Sequence, residues 1–334
     1  MLCKKLRKEK QVFSTIEDLK SAPRKETMFL FDVGGHPLHA KFLPARYPTD
    51  SLIIAFHGAH QGTGTSIFDL TRNSVTLSNY AHQITVYDPA KLRREGFSIS
   101  WYAGDDEFDT QALLPTFFQT AASALAVKRT VYFGSSGGGF AALFYSFHHT
   151  GSVAVSLAPQ TNVHRHIPRA VERYFSSCWP DLAKGAIDKR ISLDLGKLYR
   201  SRPFRNAVIM LMSAGDTFHY QNHAVPFLAD VFASLAKSDI SLTFASDYWG
   251  KLGHGGAIPS AGYLPWVRAA LAAPSIDQED ILATYHAISS ESQPVRQAVA
   301  TGSAEKLTPS DLQMAKLLCE IELNRNGVEE RLVK

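Results

Sequence analysis

The 334-residue chain reads as an α/β protein with a mostly parallel central sheet covered by helices on both faces. Three observations predict this. Continuous apolar runs at 51–56, 153–157 and 207–213 suit short strands buried on both faces. Helix-forming stretches alternate with them, notably at 109–127, 140–145 and 263–272. Finally, Gly134-x-Ser136-x-Gly138 sits where a strand-like run, Val131-Tyr132-Phe133, meets a helical one.

Taken in chain order, residues 1–25 form a basic arm carrying Lys4, Lys5, Arg7, Lys8 and Lys10, read as a solvated segment. Met28 to Val33 and Leu38 to Leu43 flank Gly34-Gly35 and predict a hairpin, the antiparallel start of the sheet. The run from Ser51 to Phe56 passes into His57-Gly58-Ala59-His60 and then a Gly/Thr-rich turn. Ile84 to Tyr87 is a short strand ending at Asp88-Pro89. Asp109 to Val127 predicts a helix, in which Pro115 is tolerable only near the first turn.

The segment from Thr130 to Leu143 is the most informative. A serine hydroxyl is a weak nucleophile and must be held clear of the sheet, facing a base. A sharp strand-to-helix turn does this, and Gly134 and Gly138 remove the Cβ atoms that would crowd it. Gly137 follows the serine, so its N–H lies at a helix N-terminus, suited to a developing oxyanion. Downstream, the apolar run 207–213 ends in Ala214-Gly215-Asp216-Thr217, placing an acid just past a strand's carboxyl end. Asp247, after the strand-like stretch 240–245, is a rival acid. Leu252-Gly253-His254-Gly255-Gly256 is a glycine-rich loop carrying a histidine, ahead of the helical run from Tyr263 to Ala272. The order Ser136, Asp216, His254 singles out these three among 13 histidines and 31 acids.

These segments resemble the α/β-hydrolase fold in its serine esterase and lipase branch, over residues 26–274. The resemblance implies Ser136 as nucleophile, His254 as base and Asp216 as orienting acid, with N–H groups of Gly137 and of Gly58 or Ala59 as oxyanion donors. It also implies an ester or thioester substrate, an acyl-enzyme and no cofactor. A more distant similarity, carried by Trp101-Tyr102-Ala103-Gly104 and by the stretch 133–142, is to hydrolase-like proteins of bacterial capsule biosynthesis and accessory secretion. Two alternatives to hydrolysis follow: an acyltransferase using the same triad, and a non-catalytic partner protein in polysaccharide biosynthesis or secretion.

Close histidine pairs, among them His164 with His166 and His219 with His223, fit no H-E-x-x-H pattern and read as ordinary core or surface residues. No Cys/His spacing resembles a metal site. His57 and His60, beside the candidate oxyanion turn, are also candidate substrate contacts. Residues 162–203 fill the gap where this architecture commonly carries a lid. Residues 161–205 hold ten Lys or Arg against four acids, +6 in a chain of net charge +4. Arg165, Arg169 and Arg173 recur at four-residue spacing, with Pro168 set to leave Arg165 outside a helix beginning there. Such a field favours an anionic substrate, for instance a glycan ester or a phosphopantetheine thioester.

Residues 275–334 read as an acidic helical extension, ten acids against six bases, with a polar linker from Ser289 to Ala304 and a capped helix opening at Ser310. It is a candidate docking element for a protein partner. No run approaches the roughly 18 apolar residues of a membrane span, and no secretory leader is visible after Met1. Three widely spaced cysteines, Cys3, Cys178 and Cys319, suggest free thiols and a cytoplasmic protein. The basic arm is too short a field for nucleic acid, and phosphate-loop and dinucleotide patterns are missing.

Overall fold

The computed structural model describes residues 14–22, 24–59, 74–233, 241–254 and 258–301, apart from the side chains of 74–75 and 291–301. Eight strands form one sheet: β1 (Thr27–Val33), β2 (His36–Leu43), β3 (Ser51–Phe56), β4 (His82–Val86), β5 (Arg129–Ser135), β6 (Val153–Leu157), β7 (Ala207–Ser213) and β8 (Leu242–Asp247). Their spatial order is β1-β2-β4-β3-β5-β6-β7-β8. The predicted hairpin pairs antiparallel, Phe31 opposite Leu38, and β2 pairs antiparallel with β4; the remaining pairings are parallel.

The apolar runs work because a strand's side chains alternate between faces. Along β3, Leu52, Ile54 and Phe56 enter one core and Ile53 and Ala55 the other. Along β7, Val208, Met210 and Met212 divide from Ala207, Ile209 and Leu211 in the same way. Both faces are therefore covered, and each fully buried Ile or Leu contributes about 1.5–3 kcal/mol.

The α-helices are α1 (Ser74–Leu77), α2 (Pro89–Arg93), α3 (Thr110–Ala124), α4 (Gly137–Phe147), α5 (Pro168–Cys178), α6 (Lys184–Arg190), α7 (Leu195–Ser201), α8 (Thr217–His219), α9 (Val225–Phe232), α10 (Ser260–Ala272) and α11 (Gln278–Thr301). In α3 the Asp109 carboxylate accepts the Ala112 N–H as N-cap, and Leu114, Phe117, Phe118 and Ala121 face the first core. Pro115 lies in the second turn, deeper than the sequence suggested. The packed apolar face outweighs the one backbone donor it forgoes. Helix α4 is buried along its whole length.

Helices α5, α6 and α7 occupy the expected insertion. Val171, Tyr174, Phe175, Ile187 and Tyr199 from these helices join the first core, leaving the basic side chains outside. Helix α11 corrects the expected linker. Residues 289–301 continue one helix, anchored upstream by buried Ile281 and Ile288 and by Tyr285 stacked on Trp266 at 3.6 Å. Of the predicted basic arm 1–25, residues 1–13 lie outside the described residues, as does the helix opening at Ser310, while Ile16–Leu19 form a short helical turn that buries Leu19 in the first core, so that part is not simply solvated. Among the described residues no helix is long and apolar enough to cross a membrane.

Candidate active site

Ser136 caps the junction of β5 and α4 with φ 58° and ψ −120°, a backbone conformation costly for a residue with a Cβ. Four hydrogen bonds hold it there. Its N–H donates to Leu157 O at 2.9 Å, and its carbonyl accepts from Gly139 at 3.0 Å, Phe140 at 3.2 Å and Gln160 at 3.1 Å. The flanking glycines are required by close approach: a Cβ on Gly134 would fall onto the Gly138 carbonyl, and one on Gly138 onto that of Phe56. Gly137 is the first residue of α4, so its N–H has no intrahelical partner.

The turn after β3 runs alongside this junction. A Cβ on Gly58 would lie 3.1 Å from Ser135 O and 3.3 Å from Ser136 Cβ. Gly58 is thus beside the serine and Ala59 follows it in the same turn, whereas His60 falls outside the described residues. His57 is a brace rather than a substrate contact. Its Nε2 accepts the Asp88 N–H at 3.2 Å, which leaves Nδ1–H to donate to Gly58 O at 2.8 Å. The ring is buried between Tyr87 and Tyr102.

Asp216 lies past β7, buried at 1% exposure, and caps α8 by accepting the His219 N–H. One carboxylate oxygen accepts His254 Nδ1–H at 2.7 Å and the other His219 Nδ1–H at 3.0 Å. Burial pushes this carboxyl up, but the bonds from the two histidines prevail and hold it well below the usual carboxylate range. The two rings stack, centroids 3.7 Å apart. His254 remains about one-third exposed, and its Nε2 takes no partner among the described residues. The rival Asp247 is exposed at the end of β8, and among the described residues its carboxylate accepts only the Tyr248 N–H.

Sequence reasoning missed Gln160, which follows β6. Its Nε2–H donates to Ser136 Oγ at 2.8 Å and lies 3.4 Å from His219 Nε2, while its Oε1 accepts Trp101 Nε1–H at 2.5 Å. Among the described residues no histidine is hydrogen-bonded to Ser136 Oγ. A lone glutamine far from any motif carries no sequence signal; contact across adjacent strand ends is what reveals it.

The histidines read as ordinary are also placed differently. His166, His219 and His223 converge beside Asp216, each with one ring nitrogen within 4.8 Å of the others. Burial lowers His166 to about 4 and His223 to about 3, with neighbouring imidazoles adding to the effect, so both are neutral near pH 7. Arg169 and Arg173 lie on α5, and Arg165 lies in the preceding turn Val163–Arg165, outside the helix as Pro168 predicts. All three are exposed, and none forms an ion pair among the described residues.

No family model matches the chain, and no curated protein matches it in sequence. Solved structures match in shape. The dipeptidyl peptidase 4 of Porphyromonas gingivalis superposes with a TM-score of 0.52 at 13% identity over 76% of this chain and 36% of its own. For a puromycin-hydrolyzing peptidase of Mycobacterium tuberculosis the TM-score is 0.53 at 15% identity, over 76% of this chain and 40% of that one. The chain has the α/β-hydrolase fold. The capsule O-acetyltransferase of Neisseria meningitidis serogroup A gives 0.51 at 15% identity, covering 77% of this chain and 99% of its own. The chain therefore spans well under half the length of these peptidases but matches the acetyltransferase nearly end to end. At such identities the likeness is one of α/β-hydrolase fold alone.

Proposed function

We propose that the chain is a serine-dependent acyl-transfer enzyme, cleaving an ester or thioester through Ser136, His254 and Asp216. The observation that carries this reading is the 2.7 Å bond from His254 Nδ1 to a buried, charged Asp216, beside a serine held at a strained strand-to-helix turn. With Nδ1–H committed to Asp216, His254 Nε2 is the basic nitrogen. Gln160 donates to Ser136 Oγ, so the hydroxyl keeps its own proton for that base.

In the reaction, Oγ attacks the acyl carbon as its proton passes to Nε2. The carbonyl oxygen gains charge facing the N–H groups of Gly137 and of Gly58 or Ala59. The imidazolium returns the proton to the leaving alcohol or thiol, and water or another acceptor then resolves the acyl-enzyme. The exposed arginines of the 161–205 segment favour an anionic donor, such as a glycan-linked ester.

Labelling by a fluorophosphonate probe tests the nucleophile. Wild type reacts, Ser136→Ala does not, and Ser135→Ala, at the exposed neighbouring position, does. Ser136→Ala should lower ester turnover by on the order of a million-fold; labelling that survives it removes the reading. Transfer to a sugar acceptor is the second reading, favoured by the near end-to-end match to the capsule O-acetyltransferase. Product analysis with and without acceptor separates the two.

A further inference from the structure

His223 is fully buried, and neither of its ring nitrogens has a hydrogen-bond partner among the described residues. Nδ1 of His166 is likewise buried and unpartnered. Each such group costs about 1–3 kcal/mol, and a polar atom left bare in a native core calls for an explanation. Both side chains face a third imidazole, His219. Ring centroids are 6.2 Å apart for His166 and His219, 6.2 Å for His166 and His223, and 5.2 Å for His219 and His223.

We propose that His166, His219 and His223 form a binding site for a first-row divalent transition metal of the zinc class. His219 and His223 are four residues apart in the helical segment after β7, a spacing that sets two imidazoles on one face. His166 approaches from the turn after β6. His219 donates Nδ1–H to Asp216, so its Nε2 carries the lone pair, met only by the Gln160 amide at 3.4 Å, which a metal would displace; this is the carboxylate–histidine arrangement that orients zinc ligands. The three nitrogens now lie within 4.8 Å of one another. Bonds of about 2.0–2.1 Å to a tetrahedral ion need roughly 3.3 Å between them, an approach supplied by ring rotation. An all-imidazole set selects zinc, cobalt, nickel or copper over magnesium or calcium. Three protein ligands leave a fourth position for water or another donor.

The site adjoins Asp216 but does not depend on Ser136 acting as nucleophile, so binding is tested apart from turnover. Full-length protein is stripped with chelator and titrated with Co2+. One equivalent binds with the visible bands of four-coordinate cobalt, and Zn2+ displaces it. His166→Asn, whose side chain is partly exposed and least able to disturb the core, weakens binding by at least about 10-fold, and His223→Asn does the same. Ser136→Ala and His254→Asn both keep the bands. Binding lost in His254→Asn but kept in His166→Asn would move the metal to the other cluster, Asp216, His219 and His254, and overturn the proposal. Wild type that shows no cobalt bands at stoichiometric metal, or bands insensitive to both His166→Asn and His223→Asn, also overturns it.

Discussion

Gln160 donates its side-chain amide to the Oγ of Ser136 at 2.8 Å, while Trp101 fixes the far side of that amide through its indole N–H. The glutamine's backbone N–H also donates to the Ser136 carbonyl, so one residue holds the serine at two points. Trp101 itself adopts φ 54°, so the support reaches back into the strained stretch that includes Tyr102 at φ 55°.

Gln160→Ala is therefore expected to lower kcat by about 100-fold, the scale of a mispositioned reacting group, with a much smaller change in KM. It also leaves the buried Trp101 N–H unpaired, costing about 1–3 kcal/mol of stability. Steady-state kinetics and urea melts separate the two effects. An unchanged kcat alongside lost stability would make Gln160 a purely structural residue.

The two acids are expected to differ sharply. Asp216→Asn destroys the acceptor pair for His254 and His219 and should cut turnover about ten-thousand-fold. Asp247→Asn changes an exposed side chain bonded only to its neighbour's N–H and should leave activity within a factor of two or so. Parallel kinetics on both variants decide the matter, and equal losses would refute the assignment.

Asp88 gives a pH signature in stability. It is buried at the end of β4, accepting from Ser100, Tyr102 and Ala90. Burial pushes its carboxyl up to about 6, against those bonds and the nearby Lys91. Its folded pKa thus exceeds the unfolded one, so the folded state binds more protons between them. The group's contribution to stability is full below about pH 4 and is lost as pH rises through 6. Asp88→Asn removes that dependence, and its deficit in unfolding free energy should be larger at pH 5 than at pH 7 by roughly 1 kcal/mol. Equal deficits at the two pH values would exclude an ionisation at this site.

Exposed charge acts mainly on encounter and is screened over about 8 Å at physiological ionic strength. If Arg165, Arg169 and Arg173 attract an anionic donor, kcat/KM for an anionic ester relative to a neutral one should fall as salt rises. Neutralising all three should flatten that trend. A ratio indifferent to salt in the wild type would leave these arginines as solvated surface.

The sheet and the serine turn can be read from the chain alone, because both are local. A continuous apolar run suits a strand that sheds side chains into two cores, and Gly134 and Gly138 are dictated by the crowding of one turn. Ser136, Asp216 and His254 could be nominated as candidates from the chain, since each follows a recognisable strand or loop. Which acid meets His254 is set by the folded chain. Asp216 and Asp247 both end strands, yet one is buried against two imidazoles and the other faces solvent. Gln160, His166, His219 and His223 stayed hidden for the same reason. Parallel pairing sets β5, β6 and β7 side by side with their carboxyl ends together, so residues just past those ends meet across long stretches of chain, 24 positions from Ser136 to Gln160 and 59 from Gln160 to His219. Contacts of that kind leave no periodicity in the chain; they exist only once the strand order closes them.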